Sequence, residues 1–266
     1  MYADQIDGLA NCVPLSLVPQ LERRKWFHVA GQLSNRKAFS RRSHQRPPEL
    51  RGRLHTVPLP PRRSLSSSAQ IRCRWATDAN PREVEYHDTE WGAPQHDASK
   101  LFELLSLEGA QAGLSWSTVL AKRPRYRAVF ADFDAAKVAA FEDAEIEAIL
   151  ADPGVIRNRG KIHSVVNNAM VIVALEQQGR GFSELLWSFA TTGPRKDAQP
   201  TAATALPSQS PESAAMARTL RHLGFRFVGA TTCYALMQAA GLVNDHAADC
   251  FRRTEISQMA RSPSAG

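Results

Sequence analysis

Asp152-Pro153-Gly154-Val155-Ile156-Arg157-Asn158-Arg159-Gly160-Lys161, with the run that follows, decides how this chain is read. Beyond Lys161 the apolar residues Ile162, Val165, Val166, Ala169, Met170 and Val173 recur at i, i+3, i+4, i+7, i+8 and i+11, the spacing of one helical face. Ahead of it, Ala144–Leu150 carries Ile146, Ile149 and Leu150 behind Asp143, a plausible N-cap. Two helices joined by a short segment containing Gly154 and Gly160 can form a tight hairpin with exposed backbone N–H groups. Arg157, Arg159 and Lys161 at the start of the second helix would add fixed cations, completing a phosphate cradle. The same residues also suit a plain turn between helices with solvated basic side chains. Spacing alone does not choose between that turn and a DNA-binding helix-hairpin-helix.

Outward from the hairpin the pattern stays helical. Lys100–Leu107 places Leu101, Leu104 and Leu105 on one stripe and Glu103 on the other side. Asp134 is positioned to cap Ala135–Phe141, and Phe182–Phe189, Ser213–Leu223 and Thr231–Ala240 read as further helices, the last stopped by Gly241. Residues 193–211 are rich in Pro, Ser and Thr and read as a loop. No stretch alternates over strand length, so the expected fold class is all-α.

The chain has 266 residues, 33 Lys+Arg against 26 Asp+Glu, a formal charge of +7 and 43% hydrophobic residues. The excess charge is localised: residues 1–70 hold 12 Lys/Arg and 4 Asp/Glu, whereas residues 71–266 hold 21 and 22. Residues 1–70, with Arg clusters, prolines and the run Ser64-Leu65-Ser66-Ser67-Ser68, show no lasting apolar period and read as a disordered tail. A solvated basic arm, an organelle-type presequence and translated sequence upstream of the true start all fit that composition. A folded domain is expected over 71–256, and a disordered tail over 257–266. The longest apolar run, Ala169–Leu175, falls far short of the roughly 20 residues of a membrane span. Asp4 and Asp7, with no basic residue before Arg23, disfavour a secretory signal. Four widely spaced cysteines suit a reducing, intracellular and cytoplasmic setting rather than a disulfide scaffold.

Three further groups carry chemistry. His246 and Cys250, four apart, would project from one helical face and suit two ligands of a tetrahedral metal. Cys73 and His87 could supply the other half, although the spacing matches no short zinc-finger pattern and does not by itself pair the halves. Leu107-Glu108-Gly109-Ala110-Gln111-Ala112-Gly113-Leu114-Ser115-Trp116 sets an acid, two glycines and a Trp after an apolar helix. Glu108 continues the stripe of Leu104 and Leu105, so its carboxyl would be partly desolvated and in want of a partner. Tyr86-His87-Asp88-Thr89-Glu90-Trp91-Gly92 flanks a candidate ligand with aromatic residues.

Taken together, these motifs with Arg157-x-Arg159-Gly160-Lys161-Ile162, Gly224-Phe225-x-Phe227-Val228-Gly229 and Gly241-Leu242-Val243-Asn244-Asp245-His246 resemble the DNA-3-methyladenine glycosylase I family of the helix-hairpin-helix superfamily. The resemblance runs in order from about Ile71 to about Cys250. It implies one structural zinc ion held by Cys73, His87, His246 and Cys250, joining the two ends of the domain and leaving no coordination position open for chemistry. It implies base recognition by Glu108, stacking by Trp116 and Tyr86, and pocket positions for Trp75 and Trp91. Gly113-Leu114 matches the family segment that meets the damaged duplex, with Gly154, Arg157, Arg159 and Lys161 as further DNA contacts. The implied partner is double-stranded DNA carrying alkylated adenine, bound by a monomer, with no membrane. One departure stands out: Glu83 occupies a position where relatives often carry an aromatic. After Lys161 the helix offers His163, Ser164, Asn167 and Asn168 but no acid before Glu176, so no catalytic Asp is assigned. A lesion-binding module without activity and a zinc hydrolase are the rival classes.

Overall fold

A computed structural model describes residues 70–77, 79–190 and 207–260. All of them are helix, turn or irregular chain, with no strand among the described residues. The helices are α1 (Arg74–Thr77), α2 (Pro81–Thr89), α3 (Ala98–Gln111), α4 (Trp116–Val129), α5 (Ala135–Ala139), α6 (Asp143–Ala151), α7 (Arg159–Gln177), α8 (Phe182–Trp187), α9 (Pro211–His222), α10 (Ala230–Ala239) and α11 (Phe251–Met259). The expected tail over residues 1–70 falls, save for residue 70, outside the described residues, as does most of the 193–211 loop. α11 carries regular structure to Met259, past the boundary expected at 256.

α3 is the central strut. Asp97 caps it by accepting from the N–H groups of Ser99 and Lys100, and every side chain from Leu101 to Ala110 is buried. α4, α7, α8 and α10 surround it. That burial overturns the expected solvent-facing place of Glu103, which is only 3% exposed. Its carboxylate accepts from Arg123 Nε at 2.8 Å and Arg127 Nε at 2.6 Å, so α4 brings the charges that allow an acid inside. On α7 the buried stripe is Ile162, Val165, Val166, Ala169, Ile172 and Leu175, while Met170 is 42% exposed. α5 and α6 also pack on this helix. α6 is capped from Glu142, one residue before the expected Asp143, with Glu142 N–H donating to Glu145 at 2.7 Å.

Residues 152–158 join α6 to α7 as a hairpin. Val155 is buried at its base, and the Asn158 side chain caps α7 by accepting from Lys161 N–H at 3.0 Å. α2, α4 and α11 were not foreseen as helices. α4 contains Pro124 within a cation-rich stretch, and α2 and α11 are short and mostly polar. Burial of Tyr86, Tyr126 and Ile256 supplies what their local sequence lacks.

Candidate functional site

Glu108 is 7% exposed near the end of α3, and no hydrogen-bond or ion-pair partner meets its carboxyl among the described residues. Burial alone pushes that carboxyl up to about 8. Tyr86, on α2, is buried beside it. Desolvation and then the Glu108 charge push the phenol well above its usual value, and the Tyr86 hydroxyl has no partner. Trp116 opens α4 behind the Ser115 cap, with its indole Nε1 also buried and unpartnered. Three polar groups without partners in one place make a site for a ligand that supplies them. The Tyr86 and Trp116 ring centroids are 5.3 Å apart with planes tilted 52°. A base between them would need roughly 7 Å, so these rings form one wall with Trp116 partly exposed, and not an open slot. The Arg123 guanidinium lies 6.0 Å from the Tyr86 ring centre on the Glu103 side. A cavity of about 680 Å³ opens there, lined by Tyr86, Leu104, Glu90, Glu103, Arg123 and Arg127 among others, and it reaches neither Glu108 nor Trp116.

Gly113 and Leu114 form the exposed tip between α3 and α4; Gly113 has φ 78°, which a side chain would resist. Lys161 holds this tip. Its Nζ donates to Ala110 O at 2.8 Å and Ala112 O at 2.6 Å, capping the end of α3, and burial lowers its basicity. The expected free cation is therefore a buried clamp. Arg159 is paired with Glu147, whereas Arg157 is exposed and has no ion-pair partner among the described residues. In the hairpin, Gly154 N–H donates to Asp152 Oδ1 at 2.6 Å and Ile156 N–H to the Tyr126 hydroxyl at 3.3 Å. These N–H groups are not open for phosphate. The N–H groups of Arg159 and Gly160, at the start of α7, are without an acceptor among the described residues.

Cys73, His87, His246 and Cys250 meet in a buried cluster whose ligand atoms all lie within 4.8 Å of one another. His246 and Cys250 do not lie on a helix as their spacing suggested: His246 is in chain without regular structure, a turn follows at Ala248 and Asp249, and Cys250 is the residue before α11. Cys73 Sγ is 3.5 Å from His246 Nδ1, and Cys250 Sγ is 3.5 Å from both His87 Nε2 and His246 Nδ1. Bonds of about 2.3 Å to sulfur and 2.05 Å to nitrogen give a tetrahedral S–N edge near 3.5 Å, so the donor set fits a closed four-ligand metal site. Outer partners set each ring. His87 Nδ1 meets Asp88 at 2.8 Å, itself held by Arg72 at 2.7 Å, which turns Nε2 inward. His246 Nε2 meets Trp91 O at 3.0 Å, which turns Nδ1 inward. Hydrogen bonding between the two sulfurs pushes Cys250 down and Cys73 up. Gly241 passes so close to Gly92 that a Cβ on it would stand 2.6 Å from Gly92 O.

Trp75 and Trp91 sit on this cluster. Their ring centroids are 5.2 Å apart, Trp75 lies 5.3 Å from His87, and Trp91 lies 4.6 Å from His246. Among the described residues their rings meet each other and the two histidines, not Tyr86 or Trp116. Glu83 has a local task, accepting from Asn80 Nδ2 at 2.9 Å while Asn80 caps α2. Arg123 and Arg127, which hold Glu103, were missed from sequence. Their signal was a cation-rich helix facing a central acid, visible only once α4 is recognised.

A model of the methyladenine glycosylase family matches residues 75–253. The chain is 46% identical over 179 residues to DNA-3-methyladenine glycosylase 1 of Escherichia coli (strain K12), spanning 67% of this chain and 95% of that protein. It is 44% identical over 183 residues to the DNA-3-methyladenine glycosylase of Haemophilus influenzae, spanning 69% and 98%. A crystal structure of 3-methyladenine DNA glycosylase I superposes with a TM-score of 0.64 at 46% identity, covering 68% of this chain and 98% of that one. A structure of the Staphylococcus aureus enzyme, described as the basis of 3-methyladenine recognition, superposes with a TM-score of 0.63 at 33% identity, covering 68% and 96%.

Proposed function

The chain belongs to the methyladenine glycosylase family, and from that premise we propose that it is a base-excision repair enzyme that hydrolyses the N-glycosidic bond of 3-methyladenine in alkylated double-stranded DNA. The observation that carries this reading is the buried, partnerless Glu108 carboxyl beside Tyr86 and Trp116. A planar cation with N–H groups on its edge satisfies the Glu108 carboxyl and the Tyr86 hydroxyl, both of which can accept, while the Trp116 N–H, a donor only, needs an acceptor from the ligand or its backbone. The target nucleotide is extruded from the stack and its base lies on the exposed face of Trp116, where cation–π attraction favours the charged form. Glu108 accepts from the exocyclic amine of adenine; guanine presents an acceptor there and is refused. The C1′–N9 bond breaks with its electron pair going to N9, so the methylated base leaves neutral. Water adds to C1′ and releases a proton. The leaving group is good from the start, so no catalytic carboxylate is required. The positions after Lys161 are used structurally instead, Asn167 and Asn168 binding the backbone of Gly224 and Arg226.

DNA is held by the N–H groups at the start of α7, by Arg157, and by the Gly113–Leu114 tip, with α6 and α7 acting as the helix-hairpin-helix. Arg159 contributes when DNA phosphate competes with Glu147 for it. Cys73, His87, His246 and Cys250 hold one structural zinc ion, whose contribution is to folding. Trp75 and Trp91 shield that site, and Trp91 also positions His246 through its carbonyl. The working form is a monomer in the cytoplasm, next to the nucleoid. The test is release of 3-methyladenine from methylated duplex DNA. Lesion binding without release would make the chain a recognition module.

A further inference from the structure

Phe227 is 41% exposed, as is Leu114 at the α3–α4 tip. It belongs to Gly224-Phe225-Arg226-Phe227-Val228-Gly229, between α9 and α10, in which Phe225 and Val228 are buried. Its backbone is left-handed, with φ 57°, a conformation unfavourable for a bulky L-residue and easier for Gly or Asn. The surrounding loop is fixed from α7. Asn168 accepts from Arg226 N–H at 2.8 Å and donates to Arg226 O at 3.1 Å, and Asn167 donates to Gly224 O at 2.9 Å. Two glycines from other elements make room for the side chain. A Cβ on Gly109 would stand 3.3 Å from Phe227 Cβ, and one on Gly160 would stand 3.6 Å from its Cζ. Gly109 follows Glu108. Gly160 precedes Lys161, the clamp on Ala110 and Ala112 beside Leu114.

We propose that Phe227 is a second apolar DNA contact, acting with Leu114 to fill the space left in the duplex when the target nucleotide is extruded. The inference rests on the glycosylase reading above. An aromatic held in an unfavourable backbone state, exposed, and clamped from behind is a preorganised probe. Its flat face matches a base pair opened at one step. Exposed Arg226 and Arg157 nearby match phosphate rather than an apolar protein surface. Its place beside Gly109 and Gly160 puts it between the base-reading carboxyl and the start of α7.

The test compares Phe227→Asn, which keeps the left-handed backbone, with Phe227→Leu, which keeps an apolar side chain. For Phe227→Asn, kcat/KM for 3-methyladenine release from methylated duplex falls about tenfold or more. On the same methylated strand left unpaired, the rate stays within about twofold, because there is no paired stack to hold open. Binding of free 3-methyladenine, read by tryptophan fluorescence, and Tm are unchanged, and Phe227→Leu recovers most of the duplex activity. An unchanged duplex rate, or equal losses on duplex and single strand, overturns the proposal. If the wild-type chain releases no base at all, the glycosylase reading has failed. Phe227→Asn must then still weaken binding to a duplex with an abasic gap about tenfold relative to intact duplex, or the contact fails as well.

Discussion

Glu103 and Glu108 lie five residues apart on one buried helix and are driven in opposite directions. Burial raises both. At Glu103 the guanidinium groups of Arg123 and Arg127 outweigh it and hold the carboxylate below its ordinary range. At Glu108 no cation answers, and the carboxyl is pushed up to about 8. One acid is paired to hold α3 to α4; the other is left without a partner where a cationic base would supply the missing charge.

The sign of the pH effect follows from Glu108. An unfolded Glu titrates near pH 4.3, so between about 4.5 and 8 the native chain keeps a proton that the unfolded chain has released. The contribution of Glu108 to stability is full below that window and is lost as pH rises through it. Glu108→Gln abolishes the loss, making the variant more stable than wild type at pH 8.5 by on the order of 2–4 kcal/mol, with little difference at pH 4. Urea unfolding at both pH values measures this, and an absent gain at pH 8.5 contradicts a buried, unpaired carboxyl.

Removing the partner of the other acid has the reverse effect. Arg123→Met leaves Glu103 buried with Arg127 as its remaining cation, and the chain should lose about 3 kcal/mol of stability. Arg127→Met, at a half-exposed position, should cost under about 1 kcal/mol. Denaturation midpoints at neutral pH separate the two, and equal losses would deny Arg123 its dominant share.

Salt dependence distinguishes the cations around the hairpin. Arg157→Gln should reduce the slope of log affinity against log salt by about 1, since its charge is free to meet a phosphate. Lys161→Met should leave that slope unchanged while lowering stability and loosening the tip at Gly113 and Leu114, because its ammonium is committed to Ala110 and Ala112. A fall in slope with Lys161→Met would place that ammonium on DNA.

Metal removal should be felt in structure and in fluorescence together. Stripping the ion with a strong chelator is expected to lower Tm by about 10 °C or more and to change the emission of Trp75 and Trp91, which lie on the ligand rings. Added zinc should restore both. Cys250→Ser should reproduce the loss without chelator, and a chelator-insensitive Tm would show that the cluster carries no ion.

The all-α class, α7 and the burial of Glu108 were legible because each follows from apolar spacing along a single helix. What failed depended on neighbours. Met170 satisfies the same spacing as Ala169, yet the buried stripe runs on through Ile172 and leaves Met170 in solvent. Glu103 looks solvent-facing until α4 brings Arg123 over it. α4 itself is hidden by Pro124 and its cations. His246 and Cys250 meet in one cluster without sharing a helix, because the turn between them, in which Cys250 N–H donates to Ala247 O, brings their donors together as well as a helical turn can. Lys161 reads as a DNA-facing cation, and only the approach of Ala110 and Ala112 turns it inward.

Base release from methylated duplex DNA tests the account most directly, with the wild-type chain and Glu108→Gln assayed side by side and products separated by chromatography. Release of 3-methyladenine by the wild type is expected, with 7-methylguanine and hypoxanthine left in place, and a loss of at least about 100-fold in the folded Glu108→Gln variant. Hypoxanthine released as fast as 3-methyladenine, or full activity without the Glu108 carboxyl, would contradict it.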